Sequence, residues 1–310
     1  MVPQRISTNL DLAQDGCAAT RKQSALMPNC SPPLAMPAHR AAAPLQTASQ
    51  KVTCSICKLR ELCLPLGFLG PALGILNTRS SLQRSVRRGA TLFRVDDPLE
   101  ALYAVRSGFF KTRVCCTGRR DQVTGFQMPG DLLGLDGISI DRHCCDAVAL
   151  EDSQVCVIPY DQLEERSLQC TGLQRRFHKL MGGEIVREQS VMLLRGNTRA
   201  EERLAAFLLD LAARLRARDL SPSKLVLRMT REEIGSYLGL ELETVSRGFS
   251  KLHEEGVLQV RQRHIRIVDE DALNQLVNRA RYGRSSGTGG ARVAVTPVHR
   301  VVEVLADTSG

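Results

Sequence analysis

The sequence predicts an α+β chain: a β-roll in the first half, then a long dimerisation helix, then a C-terminal winged helix-turn-helix. Three observations carry this. Between Leu64 and Gln169 the apolar residues fall in short runs separated by turn residues, as closely spaced strands require. From Gly172 the apolar spacing changes to three and four, the period of a helix. Beyond Ser221-Pro222 come two short helical patterns and a hairpin.

Taken in order, residues 1–50 are rich in Ala, Pro, Ser and Gln without a hydrophobic period, which predicts a disordered N-terminal extension. Residues 51–170 form a cysteine-bearing segment and the β-roll sensor domain. Its strands are expected at Thr91–Val95, Leu102–Val105, Phe109–Val114, Gln122–Gln127, Ala147–Leu150 and Gln154–Ile158. Arg106-Ser107-Gly108, Pro129-Gly130-Asp131 and Glu151-Asp152-Ser153 supply the turns. Residues 171–199 hold one helix, Gly172–Gly196. Residues 200–282 form the winged helix-turn-helix domain, opened by a helix over Ala200–Ala217 whose apolar face is Leu204, Phe207, Leu208, Leu211 and Leu215. Its hairpin is expected at Val257–Val260 and His264–Val268. Residues 283–310 begin GRSSGTGG and read as a flexible tail.

Composition narrows the partners. The 310 residues carry a net charge of +9 spread along the chain, which suits an anionic partner without naming one. No apolar run reaches the roughly 18 residues of a membrane span, and the start lacks a signal-peptide pattern, so the expectation is a cytoplasmic protein with no membrane partner. Eleven cysteines in such a chain point to metal or redox chemistry rather than disulfides. No triad, carboxylate pair or phosphate loop stands out, so no enzyme is expected.

The segment Met229–Leu252 is the most informative. Thr230 and Glu233 have the spacing of a capping box, and Ile234, Tyr237 and Leu238 give the helix that follows one apolar face. Gly239 permits the turn and Leu240 anchors it. The next helix buries Val245, Phe249 and Leu252, which leaves Glu243, Ser246, Arg247 and Ser250 on the opposite face. Such a face suits the major groove of double-stranded DNA: Arg donates two bonds to guanine, Glu accepts from cytosine, and Ser tolerates either. Arg261, Arg263 and Arg266 in the hairpin are placed for phosphates.

These residues also carry a resemblance. YLGLELETVSR, preceded by NTRAEERLAAFLLDL, resembles the CRP/FNR family, in particular its FNR (fumarate and nitrate reduction) branch, from about Cys54 to Leu276. The resemblance implies a cyclic-nucleotide-binding-like β-roll, with Glu243, Ser246 and Arg247 as base readers on a palindrome like TTGAT-N4-ATCAA. It further implies activation of anaerobic respiratory genes, with a contact to RNA polymerase near Thr117–Asp121. Glu241 departs from the pattern, standing where relatives carry Thr or Ser as helix cap; a carboxylate suits the helix dipole but caps less well.

Cys54, Cys57 and Cys63 form C-x2-C-x5-C, three thiols able to wrap one metal centre that then needs a fourth ligand. Spacing alone leaves an iron–sulfur cluster, zinc and structural thiols open. The FNR branch completes such a trio with one cysteine on a late strand, and Cys156 in SQVCVIP matches it. The resemblance therefore implies a [4Fe-4S] cluster on Cys54, Cys57, Cys63 and Cys156; apart from the resemblance, Cys144 or Cys145 stand as substitutes for the fourth ligand. The adjacent pairs Cys115-Cys116 and Cys144-Cys145 read as strand packing, split between two faces. Cyclic-nucleotide sites of this family carry a Glu after a Gly and an Arg-Ser pair about ten residues on; here Asp131 follows Gly130 and the Arg-Ser place falls near Arg142-His143-Cys144, so the resemblance implies no cyclic nucleotide.

In the long helix His178, Met181, Ile185, Glu188 and Met192 follow heptad steps, a seam for a homodimer. Glu188 would face its own copy there, a like-charge contact that weakens the dimer unless the sensor supports it. The expectation is an oxygen-responsive regulator. The alternatives are a regulator of the same fold that depends on zinc or a small molecule, and an iron–sulfur enzyme or electron carrier.

Overall fold

The computed structural model describes residues 82–115 and 121–282. Cys54, Cys57, Cys63, Cys116, the extension 1–50, the tail 283–310 and most of Thr117–Asp121 lie outside the described residues.

Eight strands form two antiparallel four-stranded sheets: β1 (Leu82–Val86), β2 (Thr91–Phe93), β3 (Ala101–Ser107), β4 (Phe110–Val114), β5 (Gln122–Gln127), β6 (Leu132–Leu133), β7 (Asp146–Ala149) and β8 (Ser153–Pro159). One sheet has the order β1-β8-β3-β6, the other β2-β7-β4-β5. Val86, Phe93, Val105, Phe110, Leu133 and Val155 fill the core between them. The tight β3–β4 turn requires Gly108: its φ is +87°, and a Cβ there would lie 2.1 Å from Ser153 Oγ. That hydroxyl accepts from Phe109 N at 3.2 Å and donates to Glu151 O at 2.7 Å.

Two helices follow. Helix α1 (Tyr160–Gln169) was not expected, because Leu163 is its one buried residue and a single anchor makes no period. Cys170 is extended, with φ −130°, and separates α1 from α2 (Thr171–Asn197), the expected long helix. Leu173 is fully buried, whereas Ile185 and Met192 are 54% and 74% exposed.

The last part comprises α3 (Ala200–Arg216), β9 (Lys224–Val226), α4 (Arg231–Leu238), α5 (Leu242–Glu254), β10 (Leu258–Arg261), β11 (His264–Ile267) and α6 (Glu270–Tyr282). The hairpin β10–β11 gains β9 as a third strand, too short for its pattern to stand out. Helix α6 was also missed, although Asp269 Oδ1 accepts from Ala272 N at 2.8 Å and Leu273 and Val277 are buried one turn apart.

One apolar core runs from the β-roll into this last part. Val123, Phe126, Met128 and Leu150 of the β-roll pack with residues of α3, α4, α5 and the hairpin. At its centre Phe126, Phe207 and Tyr237 meet with ring centroids 5.1 to 6.1 Å apart. Burial pushes the Tyr237 hydroxyl up to about 12. Beside them Asp131 pairs with Arg214 and, at 2.6 Å, with Arg218; both arginine side chains are about 5% exposed, at 6% and 5%. Burial opposes ionisation there, but the two guanidiniums hold the Asp131 carboxyl well below the usual carboxylate range.

Candidate functional site

Helix α4 begins with the expected capping box: Glu233 N donates to Thr230 Oγ1 at 3.1 Å, and Thr230 N donates to Glu233 Oε2 at 2.7 Å. The other oxygen of Glu233 pairs with Lys111 Nζ of β4 at 2.6 Å. Burial opposes it, yet Lys111 and the Thr230 amide keep the Glu233 carboxyl below its ordinary value. Ser236, one turn on, is tied to the β-roll as well: its Oγ accepts from Val123 N at 2.8 Å and donates to Asp121 O at 3.0 Å.

The turn after α4 uses two glycines. Gly239 caps the helix in the left-handed region, with φ 66°. Gly235 holds the close approach: Leu240 N donates to its carbonyl at 2.8 Å, and a Cβ on Gly235 would lie 2.5 Å from Leu240 O.

Helix α5 then presents two faces. Val245, Phe249 and Leu252 are buried as expected, together with Gly248, which lets α5 approach Leu204 of α3. Glu243, Ser246, Arg247 and Ser250 are exposed on the opposite face. Glu241 occupies the N-cap and makes no side-chain cap bond, in keeping with the poorer cap expected of it. Arg231 lies 3.3 Å over the centroid of the Phe249 ring, which fixes the buried side of the helix. Arg261, Arg263 and Arg266 are all exposed on the hairpin. The arrangement is an exposed helix face of donors and acceptors, flanked by cations.

Residues 202–276 match the Crp-like helix-turn-helix domain, and residues 83–170 match the cyclic nucleotide-binding domain. The transcriptional regulatory protein btr of Bordetella pertussis is 45% identical over 224 residues, which cover 72% of this chain and 93% of that protein. The chain belongs to the CRP/FNR family of transcription regulators. The fumarate and nitrate reduction regulatory protein of Escherichia coli is 38% identical over 237 residues, covering 76% of this chain and 95% of that protein. Among solved structures FixK2 from Bradyrhizobium japonicum aligns with a TM-score of 0.59 at 32% identity, over 63% of this chain and 96% of that one. This CRP/FNR regulator is therefore a DNA-binding protein and not an enzyme.

The remaining expected residues fall as follows. Cys156 sits in the middle of β8, opposite Ala104 on one side and Gln83 on the other. It is half-buried in the apolar cluster that also takes in Leu173, Phe177 and Leu180 of α2. Gln83 Nε2 is buried without a hydrogen-bond partner among the described residues. Cys144 and Cys145 lie in the loop before β7, not on a strand: Cys144 is exposed and Cys145 is 6% exposed. Cys145 donates to Asp136 Oδ2 at 3.4 Å, and burial together with that carboxylate pushes its thiol well above the ordinary range. Arg142 is exposed and donates to Asp96 O at 2.7 Å. No group of three or more metal-ligating side chains comes together among the described residues. In α2, His178, Ile185, Glu188 and Met192 are exposed and Met181 is half-buried, so the heptad seam faces outward in the protomer. Arg195, Arg203 and Gln122, which hold the reading head in place, were not expected. A lone arginine bonded to a carbonyl some forty positions away leaves no period in a sequence.

Proposed function

We propose that this CRP/FNR regulator responds to oxygen: it is a homodimer that binds DNA while Cys54, Cys57, Cys63 and Cys156 hold a [4Fe-4S] cluster. In this reading it works in the cytoplasm on a palindrome resembling TTGAT-N4-ATCAA, contacts RNA polymerase near Thr117–Asp121, and mainly activates anaerobic respiratory genes. The observation that carries it is the position of Cys156, on a sensor strand but in one apolar cluster with the first turns of α2. A ligand sulfur there bears directly on the helix that carries the dimer seam.

The described part of the site suits such a group. Cys156 is half-buried, the residue opposite it is the small Ala104, and the Gln83 amide on the same face, without a partner among the described residues, can donate to a cluster sulfur. Cys145 is a poor substitute, since a thiolate beside the Asp136 carboxylate is disfavoured. When bound, the cluster supplies iron that oxygen can attack. The chain's own contribution is to let the α2 helices separate once Cys156 is no longer held. Glu243, Ser246 and Arg247 then read bases only as a correctly spaced pair of helices. No cyclic nucleotide belongs to this reading, because Asp131 rather than Glu follows Gly130 and Arg142-His143-Cys144 stands where the family's Arg-Ser pair would be.

The test is iron and sulfide per chain, with visible absorbance, in anaerobically purified protein and in single Cys→Ala variants. A brown protein that bleaches in air, and loses its cluster with Cys54→Ala, Cys57→Ala, Cys63→Ala or Cys156→Ala, supports the reading. A colourless zinc-loaded protein overturns it, and a cluster kept by Cys156→Ala but lost by Cys144→Ala or Cys145→Ala overturns the fourth ligand.

A further inference from the structure

The C-terminal end of α4 is where three parts of the fold meet. A helix leaves its last carbonyls without intrahelical partners. Here they are taken by three different elements. Gln122 of β5 donates to Ser236 O. Arg195, in the last turn of α2, donates to Tyr237 O through Nε at 2.9 Å and also through Nη2. Arg203 of α3 donates through Nη1 to Leu238 O at 3.1 Å and Gly239 O at 3.3 Å. The same Nη2 of Arg195 reaches Val123 O of β5 at 3.4 Å. A Cβ on Gly239 would lie 3.7 Å from both Arg195 Cγ and Arg203 Nη1, so the turn packs directly on the two arginines.

Arg195 thus joins the dimer helix, the sensor strand and the helix that precedes the reading helix. Its guanidinium is a rigid planar fork, so two carbonyl partners fix its plane as well as its place. It also sits at the negative end of the α4 dipole, where a cation is favoured.

We infer that Arg195 is a positioning residue that fixes the angle between α2 and its own reading helix, and through that angle sets which half-site spacing the dimer accepts. It contacts no base. Two α5 helices related by the dimer axis must enter grooves one helical turn apart, about 34 Å. With the α2–α4 joint rigid, a site with one base pair more or less misaligns one head. With the joint loose, each head finds its own half-site. The inference rests on the dimer and palindrome of the proposed function.

The test uses the full chain, purified anaerobically with its cluster, and measures binding to duplexes whose half-sites are separated by three, four, five or six base pairs, and to a single half-site. Wild type should prefer the four-base-pair spacer about tenfold or more, at least the scale of one charge-assisted hydrogen bond. Arg195→Lys keeps the charge but cannot bridge Tyr237 O and Val123 O, and Arg195→Ala removes both contacts. In each the preference should fall to about threefold or less, while the thermal midpoint of Arg195→Lys, its sedimentation as a dimer and its affinity for the single half-site stay near wild type. An Arg195→Lys variant that keeps the wild-type spacer ratio overturns the inference, and so does an equal loss on every duplex with the ratio intact. A wild type indifferent to spacer length overturns the dimer reading instead.

Discussion

Arg247 and Arg263 are both exposed cations of the reading head, yet their removal should have different signatures. Arg247 shares the α5 face with Glu243 and Ser246, and its Nη2 lies 3.4 Å from Thr244 Oγ1, a light tether that leaves the fork free for a base. Arg247→Ala should cost about 1–3 kcal/mol on the specific site and relax base choice at one position. Arg263 sits in the hairpin turn, beyond the reading face. Arg263→Ala should weaken all sequences alike and lower the slope of log K against log salt by about one. Binding titrations over a panel of sites at several salt concentrations separate the two; a uniform loss from Arg247→Ala would place it on phosphate. The exposure of Arg247 was legible in the sequence because periodicity tells which side of α5 faces out, and that of Arg263 because it falls in the turn between two strand-like runs. Asp131 was legible only as a turn residue. Its pairing with Arg214 and Arg218 is a meeting of distant segments, which no local pattern announces.

At the scale of elements, the parts with a strong period were readable and those with one anchor were not. The α5 face, the capping box of α4 and the strand Gln122–Gln127 appear in the structure where the residues placed them. Helix α1 escaped because Leu163 alone is buried, and β1 and β9 because neither makes a run distinct from its surroundings. The turn between α4 and α5 shows a subtler gap. Gly239 announced itself by its position, whereas Gly235, inside the helix, is the residue with no room for a side chain. Gly235→Ala would ordinarily favour a helix, but here the new methyl meets the Leu240 carbonyl oxygen, so the turn must open. The expected outcome is a loss of about 1–3 kcal/mol in urea unfolding with DNA binding abolished, while iron per chain is retained. Unchanged stability would show that the turn can shift at little cost.

At the scale of the whole molecule, the outward face of α2 is the surface on which the proposed homodimer depends. Ile185 and Met192 lie bare on it and Glu188 shares it, an apolar stripe interrupted by a charge. If two copies meet along this stripe, paired Glu188 carboxylates oppose them, and the sensor must offset that repulsion. Glu188→Ala keeps a good helix former and removes the repulsion, so the cluster-free protein should dimerise and bind DNA in air. Sedimentation at matched concentration and salt checks this; a variant that stays monomeric puts Glu188 off the seam. The continuous core has a consequence of another kind. Phe126 from the β-roll interlocks with Phe207 and Tyr237 of the DNA-binding domain, so the two parts should melt together, a single transition in calorimetry. Destabilising lesions anywhere along that core should therefore be shared, so that damage to the β-roll also opens the DNA-binding domain to proteolysis.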